Sequence, residues 1–218
     1  MKLSMIYGGI IMSTTIYLIR HSKPLKVNNN LNNDNLQIQN EKSSLSIEGE
    51  QIAKEKLNNK EFNNIDVLYS SNYVRTIQTA KYLAENNNIE INIISNLGER
   101  KFGIDSWEQL PENFERKQIL DENYKIGTGE NQKEVRDRMY STIIKILNEN
   151  KNKRIAIVSH ATAIAFLIKK WCDVGIINNK LRYSFKNNIL LEGYIEYCAG
   201  FKLEFAEDNQ LINIEFLK

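Results

Sequence analysis

Apolar residues along this chain fall into short runs rich in branched and aromatic side chains, separated by stretches with apolar positions three and four apart. Thr15-Ile16-Tyr17-Leu18-Ile19 is the first such run. It stops at Arg20-His21, and Pro24 then forbids a continued ladder or an easy helix entry. The stretches 65–70, 89–94 and 155–159 have the same strand-like character. Between them the 3.6-residue period predicts helices. One starts at Ser46, with Ile47, Ile52, Ala53 and Leu57 as its packing stripe; a second follows a Ser71-Asn72 cap, with Val74, Ile77 and Leu83. A third runs from Glu130 to Asn150 on Val135, Met139, Ile143 and Leu147, and a fourth follows His160 through ATAIAFLIKKWC. Strands alternating with helices predict an α/β domain around a mainly parallel sheet. Two alternating segments, 189–198 and 201–216, with Asn209 in a turn, predict antiparallel strands at the sheet edge.

The remaining stretches are less regular. Lys26 to Lys42 is dense in asparagine, which favours turns, and predicts a surface loop. The asparagine runs at 28–30 and 86–88 read as compositional bias. Residues 102–129, with Pro111 inside and Gly127-Thr128-Gly129 at the end, predict a small helical insertion covering the site. Residues 1–11 read as a leader or an added edge strand, with Met12 as an alternative start; no small-residue cleavage site marks a signal peptide. Nothing resembles an internal repeat or a linker, so residues 1–218 are expected to form a single domain.

Composition narrows the choice of partner. A chain of 218 residues with 42% hydrophobic and 26% charged residues can bury a sizeable core. A net charge of +2 is too small to argue for nucleic acid or an anionic membrane, so any basic site is local. No stretch reaches the roughly 18 apolar residues of a membrane helix. Cys172 and Cys198 follow no metal-ligand spacing and suit a reducing cytosol better than a disulfide.

The candidate chemistry lies at strand ends. In open α/β sheets, ligands bind at the carboxyl tips of the strands. The chain has only two histidines, and each follows a strand: His21 after Arg20, and His160 after Ser159. Arg75 falls in the first turn of a helix leaving a strand, where a cation opposes the helix dipole but can meet an anion. A neutral imidazole is a nucleophile toward phosphorus, and a phosphohistidine divides one hard displacement into two easier ones. The transferred group needs a cationic cradle, which the planar forks of Arg20 and Arg75 can supply. His160 can add an N–H to the same oxygens. Glu99, after the third strand, is the best carboxylate for protonating the leaving oxygen.

The segments LIRHSKP, SSNYVRTIQTA, GERKFG and IAIVSHATAI, in this order, resemble those of the histidine phosphatase superfamily, with its phosphoglycerate mutase-like fold and Arg-His-Gly signature. The resemblance runs from about Thr14 to Phe216. It implies a three-layer α/β/α fold with a mixed, mainly parallel sheet. It also implies His21 as nucleophile, Arg20, Arg75 and His160 as the phosphate pocket, Glu99 as the acid, and no metal or other cofactor. Gly129-Glu130 with Arg136 and Arg138 resembles the family's Gly-Glu-Ser segment before a long helix. Ser22 stands where the signature has glycine and brings a side chain beside the pocket as a substrate-binding candidate. Ala161 replaces a frequent glycine, and Lys23-Pro24 replaces a polar segment of the glycolytic mutases.

Those departures favour a phosphatase acting on a small phosphomonoester; the protein is expected in the cytoplasm, as a monomer or homodimer. The stretch 99–103 echoes the mutase Glu-Arg-x-Tyr-Gly, which keeps a phosphoglycerate mutase as the alternative; a non-catalytic phosphate-binding module is a further one. Lys23, Arg100 and Lys101 are candidates for shaping the pocket, and Trp107 and Trp171 are expected to be packing residues.

Overall fold

The structure, a computed structural model, describes residues 13–27 and 35–218. The expected leader at 1–11 and the asparagines at 28–30 lie outside the described residues. The strands are β1 (Thr14–Arg20), β2 (Val67–Ser70), β3 (Ile91–Ile93), β4 (Arg154–Ser159), β5 (Asp173–Ile177), β6 (Lys180–Phe185), β7 (Asn188–Glu192), β8 (Gly200–Phe205) and β9 (Leu211–Leu217). The α-helices are α1 (Leu36–Lys42), α2 (Ile47–Leu57), α3 (Val74–Asn87), α4 (Phe114–Leu120), α5 (Gln132–Glu149) and α6 (Ala161–Ile168). The main sheet has the order β3-β2-β4-β1-β8-β9. Its first four strands pair in parallel, and β8 and β9 complete it antiparallel. This is the mixed, mainly parallel sheet that the alternation predicts.

The two-residue period of a strand sends neighbouring side chains to opposite faces. On one face, Ile16 and Leu18 of β1 and Ile155 and Ile157 of β4 pack with Val135, Met139 and Ile143 of α5 and with Ala163, Ile164 and Leu167 of α6. On the other face, Tyr17, Ile19, Ala156 and Val158 pack with Ala53 and Leu57 of α2 and Ala80 and Leu83 of α3. Burial on both faces explains why β1 and β4 read as continuous apolar runs. Each buried leucine or isoleucine contributes about 1.5–3 kcal/mol. Asn131 and Glu134 close a capping box at the start of α5, and Ser46 accepts from Gly49 N–H at 3.0 Å at the start of α2.

Several expectations need correction. The stretch 26–42 is not all loop, because Asn35 caps α1 by accepting from Ile38 N–H and Leu36 anchors the helix in the core. Ile47 is 91% exposed and lies off the packing stripe of α2. Tyr73, not Ser71 or Asn72, precedes α3, and it makes no side-chain cap. The segment 189–192 does not join the edge of the main sheet; it is β7 of a separate antiparallel sheet, β5-β6-β7. The hairpins of that sheet turn at Asn178-Asn179 and Lys186-Asn187, all four at positive φ. That is the type I′ geometry usually marked by Asn-Gly. Asparagine does glycine's work elsewhere too, with Asn88 left-handed at the end of α3 and Asn209 at φ 67° in the turn between β8 and β9.

The insertion at 102–129 carries α4 and a one-turn 3-10 helix at Trp107–Gln109. Its two ends meet so closely that a Cβ on Gly103, at φ 72°, would lie 2.0 Å from the backbone nitrogen of Gly129. Trp171 packs between Tyr140 and Phe205, while Trp107 is half exposed and meets the ring of Phe102 edge-on. Both cysteines are free and buried. Among the described residues, no helix is long and apolar enough to cross a membrane.

Candidate active site

The adjacent parallel strands β1 and β4 bring the two histidines together. Arg20 is in register with Ser159, and one residue on, His21 N–H donates to Ser159 O at 2.9 Å. His21 and His160 therefore stand side by side past the strand tips, with ring centroids 5.1 Å apart. On the other side of β4, β2 ends in register, and Ser71 N–H donates to Val158 O at 3.2 Å. That puts Ser71, and the first turn of α3 with Arg75, over the same tip.

Hydrogen bonds assign the protons on both rings. His21 Nδ1 lies 2.6 Å from the carbonyl oxygen of Ser22. A carbonyl only accepts, so Nδ1 carries the hydrogen and Nε2 keeps a lone pair. Arg75 Nε–H donates to that Nε2 at 3.1 Å. The same guanidinium donates from Nη2 to His160 Nδ1 at 3.2 Å and from Nη1 to Asn40 O at 2.5 Å. His160 Nδ1 is thus an acceptor, and its Nε2–H donates to Ser71 Oγ at 2.9 Å. The chain continues to Thr76 Oγ1 at 2.7 Å, which donates to Tyr73 O at 2.7 Å. In this tautomer the N–H of His160 points to Ser71, whereas the residue pattern predicts it aimed at the phosphate.

Burial and the charge of Arg75 hold both imidazoles well below the usual histidine range; for His21 the carbonyl of Ser22 opposes this. Burial also pushes the guanidiniums of Arg20 and Arg75 down, while Glu99 pulls them up. Arginine stays charged regardless. The result is two neutral rings beside two partly dehydrated cations.

Arg20 is held from outside the parallel core. Its Nη1 donates to Ile195 O at 2.6 Å, and its guanidinium lies 4.2 Å from the centre of the Tyr197 ring. Its buried Nε has no hydrogen-bond partner among the described residues. Glu99 caps α6, with Oε1 accepting from Ala163 N–H at 3.1 Å and from Arg100 N–H at 2.9 Å. Two anchors hold the loop that carries it. Ser159 Oγ–H donates to Leu97 O at 2.6 Å, and Arg138 donates to the carbonyls of Asn96, Gly98 and Glu99 while pairing with Glu130. Arg20, His21 and Glu99 line one cavity of about 310 Å³.

Ser22 sits differently from its expected place beside the pocket. Its hydroxyl donates to Gly49 O at 2.6 Å and its N–H to Thr79 Oγ1 at 2.9 Å, so the side chain faces α2. What Ser22 offers the site is its carbonyl. Lys23 pairs with Glu48 on the surface, and the side chain of Lys101 does not line this cavity. Arg100 does line it, but only 1% of its side chain is exposed. Its guanidinium lies 4.6 Å from the centre of the Phe102 ring and 5.4 Å from that of Phe114, and it pairs with Glu115 at 3.2 Å.

The family model of the histidine phosphatase superfamily, branch 1, matches residues 16–188. The chain belongs to this superfamily. No sequence match was found among curated proteins. Among solved structures of this fold, a mycobacterial glucosyl-3-phosphoglycerate phosphatase in complex with inorganic phosphate aligns at TM-score 0.66 and 16% identity, covering 94% of this chain and 95% of that one. A phosphoserine phosphatase from Entamoeba histolytica aligns at TM-score 0.59 and 18% identity, covering 93% and 96%. A phosphoglycerate mutase from Bacillus anthracis aligns at 0.63 and 18%, covering 94% and 92%. At these identities the likeness is one of fold.

Proposed function

We propose that the protein is a phosphatase that hydrolyses phosphomonoesters, with no metal in any step, through a phosphate carried on His21. The observation that carries this reading is the tautomer of His21: Nδ1–H is tied to the Ser22 carbonyl, and the lone pair on Nε2 faces the Arg75 guanidinium. That is the state a nucleophile needs, beside the cation that the transferred group needs.

In the first step Nε2 attacks phosphorus, the N–P bond forms, and the ester P–O bond breaks. Glu99 gives its proton to the departing alkoxide. Arg75 turns its Nε–H and Nη2–H from the two imidazoles onto phosphoryl oxygens, and Arg20 donates from the other side. In the second step water attacks phosphorus, the N–P bond breaks, Glu99 takes the water's proton, and inorganic phosphate leaves. The buried position of the rings and Arg75 makes each of these contacts stronger than it is in water.

A mutase must hold a second anionic group of its substrate. The cation nearest in sequence to Glu99 is Arg100, which lines the cavity, pairs with Glu115 through Nη2, and has no hydrogen-bond partner among the described residues for its buried Nε and Nη1. The Lys23-Pro24 segment, where the glycolytic mutases have polar residues, favours hydrolysis over transfer, and Lys23 itself pairs with Glu48 on the surface. Assaying inorganic phosphate from p-nitrophenyl phosphate tests the reading: the wild type releases it and His21→Ala does not. Equal release by both contradicts the reading, and phosphate exchange between 2- and 3-phosphoglycerate without net release supports the mutase. Vanadate binding without any turnover supports the non-catalytic module.

A further inference from the structure

The loop that carries Glu99 hangs on an ion pair that takes no part in handling phosphorus. The side chains of Arg138 in α5 and of Glu130, just before that helix, are 19% and 15% exposed. Arg138 Nε donates to Glu130 Oε1 at 2.7 Å, and its Nη2 donates to Glu130 Oε2 at 2.9 Å. The rest of the fork goes to the loop: Nη1 donates to Asn96 O at 2.8 Å and Gly98 O at 3.1 Å, and Nη2 to Glu99 O at 3.0 Å. All five N–H groups of the guanidinium are thereby used, a set that a lysine ammonium cannot reproduce from one nitrogen. Glu130 holds the far side of the loop, its Oε2 accepting from Lys101 N–H and its own N–H donating to Lys101 O, both at 2.9 Å. Glycine at 129 permits this approach, because a Cβ there would lie 2.5 Å from Phe102 O. The backbone is thus pinned before, at and after Glu99.

Resting on the phosphatase reading, we infer that Arg138 and Glu130 are positioning residues for the proton that Glu99 transfers. The carboxylate itself shows why its backbone must be fixed. Oε1 already accepts from Ala163 N–H and Arg100 N–H, and two donors on one oxygen hold the negative charge there. The transferable proton therefore belongs on Oε2, which has no hydrogen-bond partner among the described residues. As the ester P–O bond breaks, the proton on Oε2 moves to the departing oxygen and its bonding pair stays on the carboxylate. In the second step Oε2 takes a proton back from the attacking water. Oε1 stays on the α6 amide, and Oε2 on the reacting oxygen, only while the Glu99 backbone keeps its place. A misplacement of about 1 Å costs about 10² in rate. Arg138 and Glu130 are not among the residues lining the cavity, so their effect on rate runs through Glu99.

The test compares leaving groups that differ in their need for an acid. Nitrophenolate departs from p-nitrophenyl phosphate without one, whereas the more basic phenolate of phenyl phosphate draws on it. For both substrates kcat/KM, which covers the steps through P–O cleavage, is measured on the wild type, Arg138→Lys, Glu130→Gln, Glu99→Gln and the double variant Glu99→Gln/Arg138→Lys. The inference predicts that Arg138→Lys loses about 10² on phenyl phosphate and little on p-nitrophenyl phosphate. Glu130→Gln shifts the ratio the same way, which keeps the test open if Arg138→Lys does not fold. In the Glu99→Gln background the Arg138 substitution changes the ratio no further. An equal loss on both substrates, or a further change of ratio once the Glu99 acid is gone, overturns the inference and leaves the phosphatase reading standing. Absence of phosphate release from either substrate by the wild type overturns the phosphatase reading, and this inference with it.

Discussion

Arg75 Nε stands 3.1 Å from His21 Nε2, on the lone pair of the predicted nucleophile. One guanidinium also reaches His160, so two imidazoles occupy donors that a phosphoryl group would otherwise take. The site is organised before substrate arrives, because Asn40 O fixes the third corner of the fork.

Arg75→Lys keeps a charge but loses the fork that spans both rings. Removing a preorganised donor to a developing anion costs about 10²–10³ in kcat, and a loss of that size is expected on p-nitrophenyl phosphate. Steady-state kinetics on a variant with an unchanged circular dichroism spectrum checks it. A wild-type kcat in Arg75→Lys would remove Arg75 from the mechanism.

Ser71→Ala strips His160 Nε2–H of its acceptor in a fully buried position. An orphaned buried donor costs about 1–3 kcal/mol, which for a chain of this size lowers the melting temperature by several degrees. The ring is also freed to move its proton to Nδ1, so kcat should change alongside stability, and Ser71→Thr should restore both. A calorimetric melt and an assay on the same samples decide.

The parts of the site readable in the sequence are those tied to strand ends. Arg20-His21 and Ser159-His160 each follow a branched apolar run, and Arg75 opens a helix after another. The residues that hold these groups were hidden for physical reasons. Asn40 lies in a polar stretch without helical periodicity, and its contribution is a backbone carbonyl, which any residue could supply. Ser71 reads as a helix cap by type, yet its hydroxyl serves His160. Tyr197 reaches Arg20 from a loop after a sheet whose turns lack the Asn-Gly signal, so no local pattern pointed to it. Ser22, next to His21 in sequence, is expected beside the pocket, but its bond to Gly49 O of α2 turns its side chain away.

Tyr197→Leu removes the ring under Arg20, an interaction worth about 0.5–2 kcal/mol, while keeping apolar volume. The guanidinium then keeps its bond to Ile195 O. KM for phosphomonoesters should rise and kcat/KM should fall by about tenfold, with Tyr197→Phe close to wild type. Equal kinetics for all three proteins contradicts a positioning role for the ring.

Acid should destabilise the free protein through its histidines. Both folded-state pKa values lie well below the ordinary 6.5, so in this region the unfolded chain binds more protons than the native one. Stability is therefore full above about pH 6.5 and is lost as pH falls below it, with the two rings together taking up about two protons on unfolding. Urea melts between pH 5 and 8 measure the slope. Sulfate, which fills the anion site and lets the imidazoles protonate, should raise the melting temperature and flatten that slope. A slope unchanged in His21→Phe contradicts the assignment.

The central claim is that phosphorus becomes bonded to Nε2 of His21, and the most direct test is mass spectrometry of protein quenched in alkali during turnover of p-nitrophenyl phosphate. The variant to use is Glu99→Gln, because a phenolate with a good leaving tendency departs without an acid while hydrolysis of the intermediate still needs the base. The account predicts that the peptide containing His21 accumulates a phosphoryl group, that wild type shows less of it, and that His21→Ala shows none. A phosphoryl group on any other residue, or full turnover by His21→Ala, would contradict it.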